Sequence, residues 1–210
     1  PRSTPKPSSA ASDVYKRQVI REIIIFTEDA YGVEFFKKLI LRLKKEGFVN
    51  PNIIVHTKRL AGKCHTKIGR QISASLMDYD RVLVVVDGEG HDIRKVEREE
   101  VLRHVEKHIA RKTAHHSRKT LRKYLSEKLK VIVLDYMIEE WVCRGLGINF
   151  RTSPVRDLDI WLRKNKGLRH GYEKGMLPYF VFGERTFPMI DINSLINYPS
   201  FKNFLSALAE

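Results

Sequence analysis

The chain has 210 residues, a formal charge of +14 and a pI of about 9.8. That length suits one domain with its own apolar core, and the charge favours polyanionic partners. Two cysteines in no metal-ligand spacing argue against a disulfide scaffold and for a reducing, cytoplasmic setting, and no apolar run reaches the roughly 18–20 residues of a membrane span.

Pro1 to Gln18 carry Pro, Ser and Ala without any period. The string from Ser9 to Gln18 resembles translated sequencing-adapter sequence seen at the ends of environmental gene models. This segment is expected to stay outside the fold as a disordered tail. It holds a net +3, so residues 19–210 keep +11.

Residues 19–210 read as a single α/β domain. Val19 to Phe26 is an apolar, isoleucine-rich run broken only by Arg21 and Glu22, the pattern of a buried strand. Thr27 offers an N-cap to a helix whose apolar residues Val33, Phe36, Leu39, Ile40 and Leu43 recur at helical spacing. Lys44, Lys45 and Gly47 end it. Asn52 to Thr57 is a second strand, Thr66 to Met77 a second helix, and Arg81 to Val86 a third strand. The last is the most apolar and belongs at the centre. Strand and helix alternate, so the sheet is parallel and helix-flanked. Ile93 to Lys128 reads as polar helix, broken near Thr113 to Ser117. Val131 to Leu134 is a fourth strand, followed by helices at Glu139 to Arg144, Val155 to Lys164 and Phe201 to Leu208.

Open parallel sheets bind ligands at the carboxyl ends of their strands. Three strands here end in acid: Thr27-Glu28-Asp29, Asp87-Gly88-Glu89 with Asp92 beyond, and Asp135 with Glu139 and Glu140 after it. Acids gathered at one edge repel one another unless a cation intervenes, and hard oxygen ligands suit Mg²⁺ or Mn²⁺. Gly88 would let Asp87 and Glu89 face one ion. Each cluster taken alone also reads as a helix cap or a favourable charge at a helix start.

The segments Ile23-Ile24-Ile25-Phe26-Thr27-Glu28 and Val84-Val85-Val86-Asp87-Gly88-Glu89 resemble the marks of Toprim domains: a strand ending in Glu, and a later strand ending in Asp-x-Asp. Glu139-Glu140-Trp141, Tyr172-Glu173-Lys174 and the terminal helix opening at Ser200-Phe201 are similar to features of compact stand-alone prokaryotic Toprim-like proteins, many linked to defence and related to the overcoming-lysogenization-defect nucleases. The resemblance covers nearly everything after residue 18. It departs at Glu89, where the family pattern has Asp. It implies a Toprim-like (Rossmann-like) fold and phosphodiester chemistry. Glu28 would be general acid/base or metal ligand, and Asp87 and Glu89 would hold Mg²⁺ or Mn²⁺. Glu139 would be a further ligand or its anchor. Lys174 would neutralise developing charge, and it reads equally well as a solvated lysine.

Arg94 to Lys130 carries thirteen Lys and Arg against five Glu. It is expected to form a basic helical insertion beside the acids. Arg111, Lys112, Arg118, Lys119, Arg122 and Lys123 lie in a run without one acid, suited to tracking a phosphate backbone. Lys63 and Lys67, at a glycine-bearing loop and helix start, are further candidates for phosphate contact, though the loop lacks P-loop spacing. His104 and His108 stand i, i+4 but have no Cys or acid at a zinc-site distance, and read as surface histidines. Trp141 and Trp161 read as core or interface anchors. Three readings follow. The first is a metal-dependent nuclease or related phosphotransferase. The second is a Toprim-like module that binds DNA or RNA without turnover. The third is a basic subunit docking on a nucleoprotein or a separate ATPase.

Overall fold

The computed structural model describes residues 21–61, 65–112, 118–150, 153–166 and 171–209. The N-terminal tail, the start of the first strand, Lys63, Cys64 and the expected helix break at 113–117 lie outside the described residues, as do the side chains of Lys112 and Arg118.

Four strands form one parallel sheet: β1 (Glu22–Thr27), β2 (Ile54–Arg59), β3 (Arg81–Asp87) and β4 (Leu129–Leu134), in the order β2-β1-β3-β4. The fold is the expected α/β class, a helix-flanked Rossmann-like sheet, with β3 in the interior. Alternation along each strand feeds two separate cores. Ile23, Ile25, Leu83, Val85, Ile132 and Leu134 belong to one. Ile24, Phe26, Val82, Val84, Val86 and Val133 belong to the other.

The first core is closed by α1 (Ala30–Lys45), α6 (Glu139–Gly145), α7 (Pro154–Lys166), α8 (Tyr179–Phe182) and α9 (Pro199–Ala209), which contribute Phe36, Trp141, Leu158, Phe180 and Phe204. Trp141 is fully buried, with ring centroids of Phe201, Phe204 and Phe36 at 4.9, 5.4 and 5.9 Å. Such aromatic pairs contribute about 0.5–1.5 kcal/mol each beyond their burial. Arg42 of α1 is buried too. Its Nη1 donates to the carbonyls of Val181 (2.7 Å) and Ile190 (2.6 Å), which fastens the late, irregular segment to the first helix.

The second core lies beneath α2 (His65–Asp78), α3 (Ile93–Val96), a π-helical turn at Glu97–Leu102, α4 (Arg103–Lys112) and α5 (Arg118–Lys128). The basic stretch is therefore more than a projecting insertion. Val96, Val101, Val105 and Leu125 bury one side of it as a wall of this core, and its cations occupy the outer side. Among the described residues no helix is long and apolar enough to cross a membrane. Cys143 is a free, buried thiol that burial pushes up to about 12.

Candidate active site

β1 and β3 are neighbours, but the chain leaves them in opposite directions, towards β2 on one side and β4 on the other. Helix α1 departs onto the first core's face and α3 onto the second's. The two strand ends thus diverge around a crevice, the place where open parallel sheets bind ligands. Glu28 follows β1 and Asp87 ends β3, so both stand at its mouth.

Period-two alternation sends Asp87 to the same side as Leu83 and Val85, under α1 and α6. The N-terminus of α1 is capped by Asp29, not by Thr27. Thr27 ends the strand and is buried, whereas Asp29 Oδ1 accepts from the Gly32 N–H at 2.6 Å. The other Asp29 oxygen lies 3.5 Å from Lys174 Nζ.

Two adjacent glutamates open α6 and both are buried, yet they do different work. Glu140 accepts from the backbone N–H groups of Asp135 (3.2 Å) and Tyr136 (2.8 Å) and from Ser200 Oγ (3.2 Å). Ser200 Oγ in turn accepts from Trp141 Nε1 at 2.9 Å. Glu140 thus ties the loop after β4 to α9, and burial pushes its carboxyl up to about 7. Glu139 instead faces the acids of the crevice, and Tyr172 donates to its Oε1 at 3.0 Å. Tyr172 is positioned by its own N–H, which donates to Asp159 on α7 at 2.6 Å. Gly171 before it adopts φ +75, and a Cβ there would sit 2.4 Å from an Arg163 guanidinium nitrogen.

Electrostatics bind these residues into one unit. Burial first, then the charges of Glu28, Glu139 and Asp29, push Asp87 up to about 8, against the opposing pull of Lys174. Burial raises Glu139 as well, with Tyr172 and Lys174 opposing. Burial lowers the pKa of the Lys174 ammonium, but Glu139, Asp29 and Asp87 more than offset it and the net shift is upward. Three carboxyl groups, Glu139, Asp29 and Asp87, thus act on the Lys174 ammonium, Glu28 adds its charge to Asp87, and Asp87 retains a proton at neutral pH.

Of the residues expected from sequence, Glu28, Asp87, Glu139 and Lys174 are brought together. Glu89 is not drawn into the group of charges acting on Asp87. It is exposed, with φ +49. The reason lies in Gly88, whose role differs from the expected one: a Cβ there would sit 2.2 Å from the Leu134 carbonyl oxygen. This close approach to β4, with the Glu89 and Gly90 N–H groups donating to Tyr136 and Asp135 carbonyls, ends the strand's alternation before Glu89. Lys67 is exposed at the start of α2, at the carboxyl edge. Arg111, Lys119, Arg122 and Lys123 are exposed on the helices of the other face. Arg122 pairs with Glu106 at 3.4 Å. Tyr124, next to Lys123, donates to the Leu76 carbonyl near the far end of α2, and α5 runs directly into the first residue of β4. Its C-terminal end therefore meets the sheet at the edge opposite the acids.

Sequence patterns did not single out Arg59 or Tyr172 for the parts they take here, whereas Asp29 takes the helix-capping part open to an acid after β1. Arg59, the last residue of β2, donates from Nε to the Glu28 carbonyl at 3.1 Å and brings a cation to the crevice. Its position at a strand end beside an acidic one was the available signal.

Among the described residues, no group of three or more His, Cys, Asp and Glu side chains stands ready-made to hold a metal ion. The chemistry of the donor set nonetheless suits a hard divalent cation: partly buried carboxyl oxygens, of which Asp87 is raised first by burial and then by its acidic neighbours. Comparison with protein-family models, curated proteins and solved structures gives no match.

Proposed function

We propose that this chain is a metal-dependent nuclease, or a related phosphotransferase of Toprim type, acting on nucleic-acid phosphodiesters in a reducing, cytoplasmic setting. The observation that carries the reading is the convergence of Glu28, Asp87 and Glu139 with Lys174 at the crevice between β1 and β3 in a chain of net charge +14. The resemblance of the Glu28 and Asp87 strand ends to Toprim motifs supports the same assignment.

In this reading Asp87 and Glu139 would hold Mg²⁺ or Mn²⁺, with Asp87 giving up its proton to do so. The bound ion supplies stabilisation of negative charge on the phosphoryl oxygens. Lys174 places a second positive charge beside that centre. Tyr172 fixes the Glu139 carboxylate through its hydroxyl. Glu28 is the group best placed to exchange a proton at the reacting phosphate, since it lies at the strand end and is only half-buried. Water attacks phosphorus and passes a proton to the Glu28 carboxylate, the bond to the leaving oxygen breaks, and that oxygen takes a proton from solvent water. The exposed cations of α4 and α5 add long-range attraction for the polyanion.

A second reading, a module that grips nucleic acid without turnover, is favoured by one observation: Glu89, the position matching the family's second Asp, stands apart from the other acids. One experiment separates the two. Labelled DNA and RNA are incubated with Mg²⁺ or Mn²⁺ against EDTA, with Asp87→Ala as control. The nuclease reading requires products that need metal and fall at least about a hundredfold in Asp87→Ala, as expected for loss of charge stabilisation at the reacting centre. Retention of nucleic acid without products supports the binding module. Neither products nor retention would leave a role in docking on a larger nucleoprotein or a separate ATPase.

A further inference from the structure

A cleft of about 430 Å³ opens directly beside the acidic crevice, within the range of small-ligand sites. Ala30 and Gly175 line it, and their chain neighbours Asp29 and Lys174 belong to the crevice. The two spaces are therefore adjoining.

The cleft is polar, and its charged side chains, Glu34, Lys38, Glu184 and Arg185, sum to zero but are not all paired with one another. Lys38 Nζ lies 2.7 Å from both oxygens of Glu184, so that pair is neutral. Glu34 faces Lys37 at 3.8 Å. Arg185 remains. Among the described residues it has no carboxylate partner, and its guanidinium carbon lies 4.4 Å from the centroid of the Tyr179 ring. Lys38 lies 5.2 Å from the same centroid, so the ring is already polarised by two cations. This cation–π contact seats the guanidinium against the ring, and its N–H groups can still meet an anion.

The backbone is bent to make this arrangement. Arg185 and Thr186 have φ +52 and +73, and Gly183 has +68. Positive φ is uncommon for any residue with a Cβ, and for a β-branched threonine it is an outlier. Such conformations persist where the surroundings demand them, and they cluster at ligand clamps. Here the turn is held by the Glu184 and Phe187 N–H groups, which donate to the carbonyls of Tyr179 and Glu184 at 3.0 Å each.

We infer that this cleft is a subsite for the nucleotide flanking the reacting phosphodiester, with Arg185 gripping its phosphate. This deepens the nuclease reading and rests on it. The exposed ring of Tyr31, at the cleft wall beside Gly175, offers a face against which the base of that nucleotide packs. Phosphate binding explains why a guanidinium, and not a second ion pair, occupies the position.

The test is equilibrium binding of a fluorescent single-stranded oligonucleotide to the full chain in EDTA, across a salt series, with a cleavage assay in Mg²⁺ run in parallel. Arg185→Ala should weaken binding roughly tenfold and lower the salt slope by roughly 0.7. Arg185→Lys should keep the slope while losing part of the affinity, because the charge stays but the fork is gone. Lys202→Ala removes the same charge from an exposed position on α9 and should change neither. A folded Arg185→Ala chain with unchanged affinity and slope overturns the subsite, as does a native chain that binds no oligonucleotide. Cleavage that depends on Asp87, with binding indifferent to Arg185, leaves the nuclease reading standing without the subsite. Binding that depends on Arg185 in a chain that never cleaves leaves Arg185 a phosphate contact and overturns the flanking-nucleotide assignment together with the nuclease reading.

Discussion

Tyr172 donates its phenolic hydrogen to Glu139 at 3.0 Å, across 33 positions of sequence. The tyrosine belongs to the late segment fastened to α7 through Asp159, and the glutamate to the first turn of α6. This hydrogen bond connects the crevice acids to the part of the chain that also supplies Lys174. Burial and the charge of Glu139 push the Tyr172 hydroxyl strongly upward, so it remains a donor at any working pH. Tyr172→Phe should keep the fold, at a cost of about 1 kcal/mol. Metal-dependent turnover should drop about tenfold as Glu139 loses its orientation. Thermal melting and single-turnover rates measure the two effects separately. Unchanged turnover would show that the Tyr172 hydrogen bond does not orient Glu139 for the proposed chemistry.

Asp87 makes stability depend on pH in a defined direction. Folded, it keeps its proton up to about pH 8; unfolded, it returns towards its ordinary value of 3.8. Between those values the folded chain binds more protons than the unfolded one, so this residue's contribution falls as pH rises from about 4 to 8. Asp87→Asn removes the cost, which is on the order of a few kcal/mol. Without metal, the variant should melt higher than the native chain at pH 8 and equally at pH 4. A lower melting temperature at pH 8 would show that Asp87 is not held in a repulsive, desolvated site.

The relay from Trp141 through Ser200 to Glu140 is wholly buried. Ser200→Ala strands the indole N–H and takes one donor from the carboxyl. The expected loss is about 1–3 kcal/mol, read as a shift of the denaturation midpoint at constant slope. A shift below a few tenths of a kcal/mol would mean that water replaces the hydroxyl.

Thr186 holds a conformation that glycine adopts freely. Thr186→Gly should stabilise the chain by about 1 kcal/mol, the strain released being partly offset by greater freedom in the unfolded state. The same substitution should loosen Arg185 and weaken oligonucleotide binding. Calorimetry and the binding assay together test whether stability has been exchanged for function at this turn.

The cations on α5 lie on the face of the sheet away from Asp87, and Arg122 is shared with Glu106. Replacing Lys119, Arg122 and Lys123 together by Ala should weaken binding similarly for all sequences, lowering the salt slope by roughly 0.7 for each single-strand phosphate that these cations neutralise. Cleavage of saturating substrate should not change. An altered saturating rate would place these residues closer to the chemistry than the fold does.

Local pattern was enough for the scaffold. The apolar run around Ile23 to Phe26 and the run Val82 to Val86 are too uniformly branched for anything but buried strands, and the helical spacing of Phe36, Leu39 and Leu43 lies between two of them. Strand–helix alternation then implied a parallel sheet, and strand ends carrying Glu28 and Asp87 implied one edge with acid on it. These features depend on residues close in sequence, where side-chain period and backbone geometry are directly coupled. The tertiary structure decided which acids meet. Glu139 and Glu140 are adjacent and chemically alike, and only the direction in which α6 leaves β4 makes one a crevice residue and the other a structural anchor. Glu89 has the right spacing after Asp87, but the contact of Gly88 with the Leu134 carbonyl ends the alternation that would have carried it inward. Lys174, Tyr172 and Arg185 reach the site through an irregular segment whose course is set by the buried Arg42 clamp and by Asp159, contacts between residues far apart in the chain. No period encodes them, because their geometry exists only once the two cores have packed.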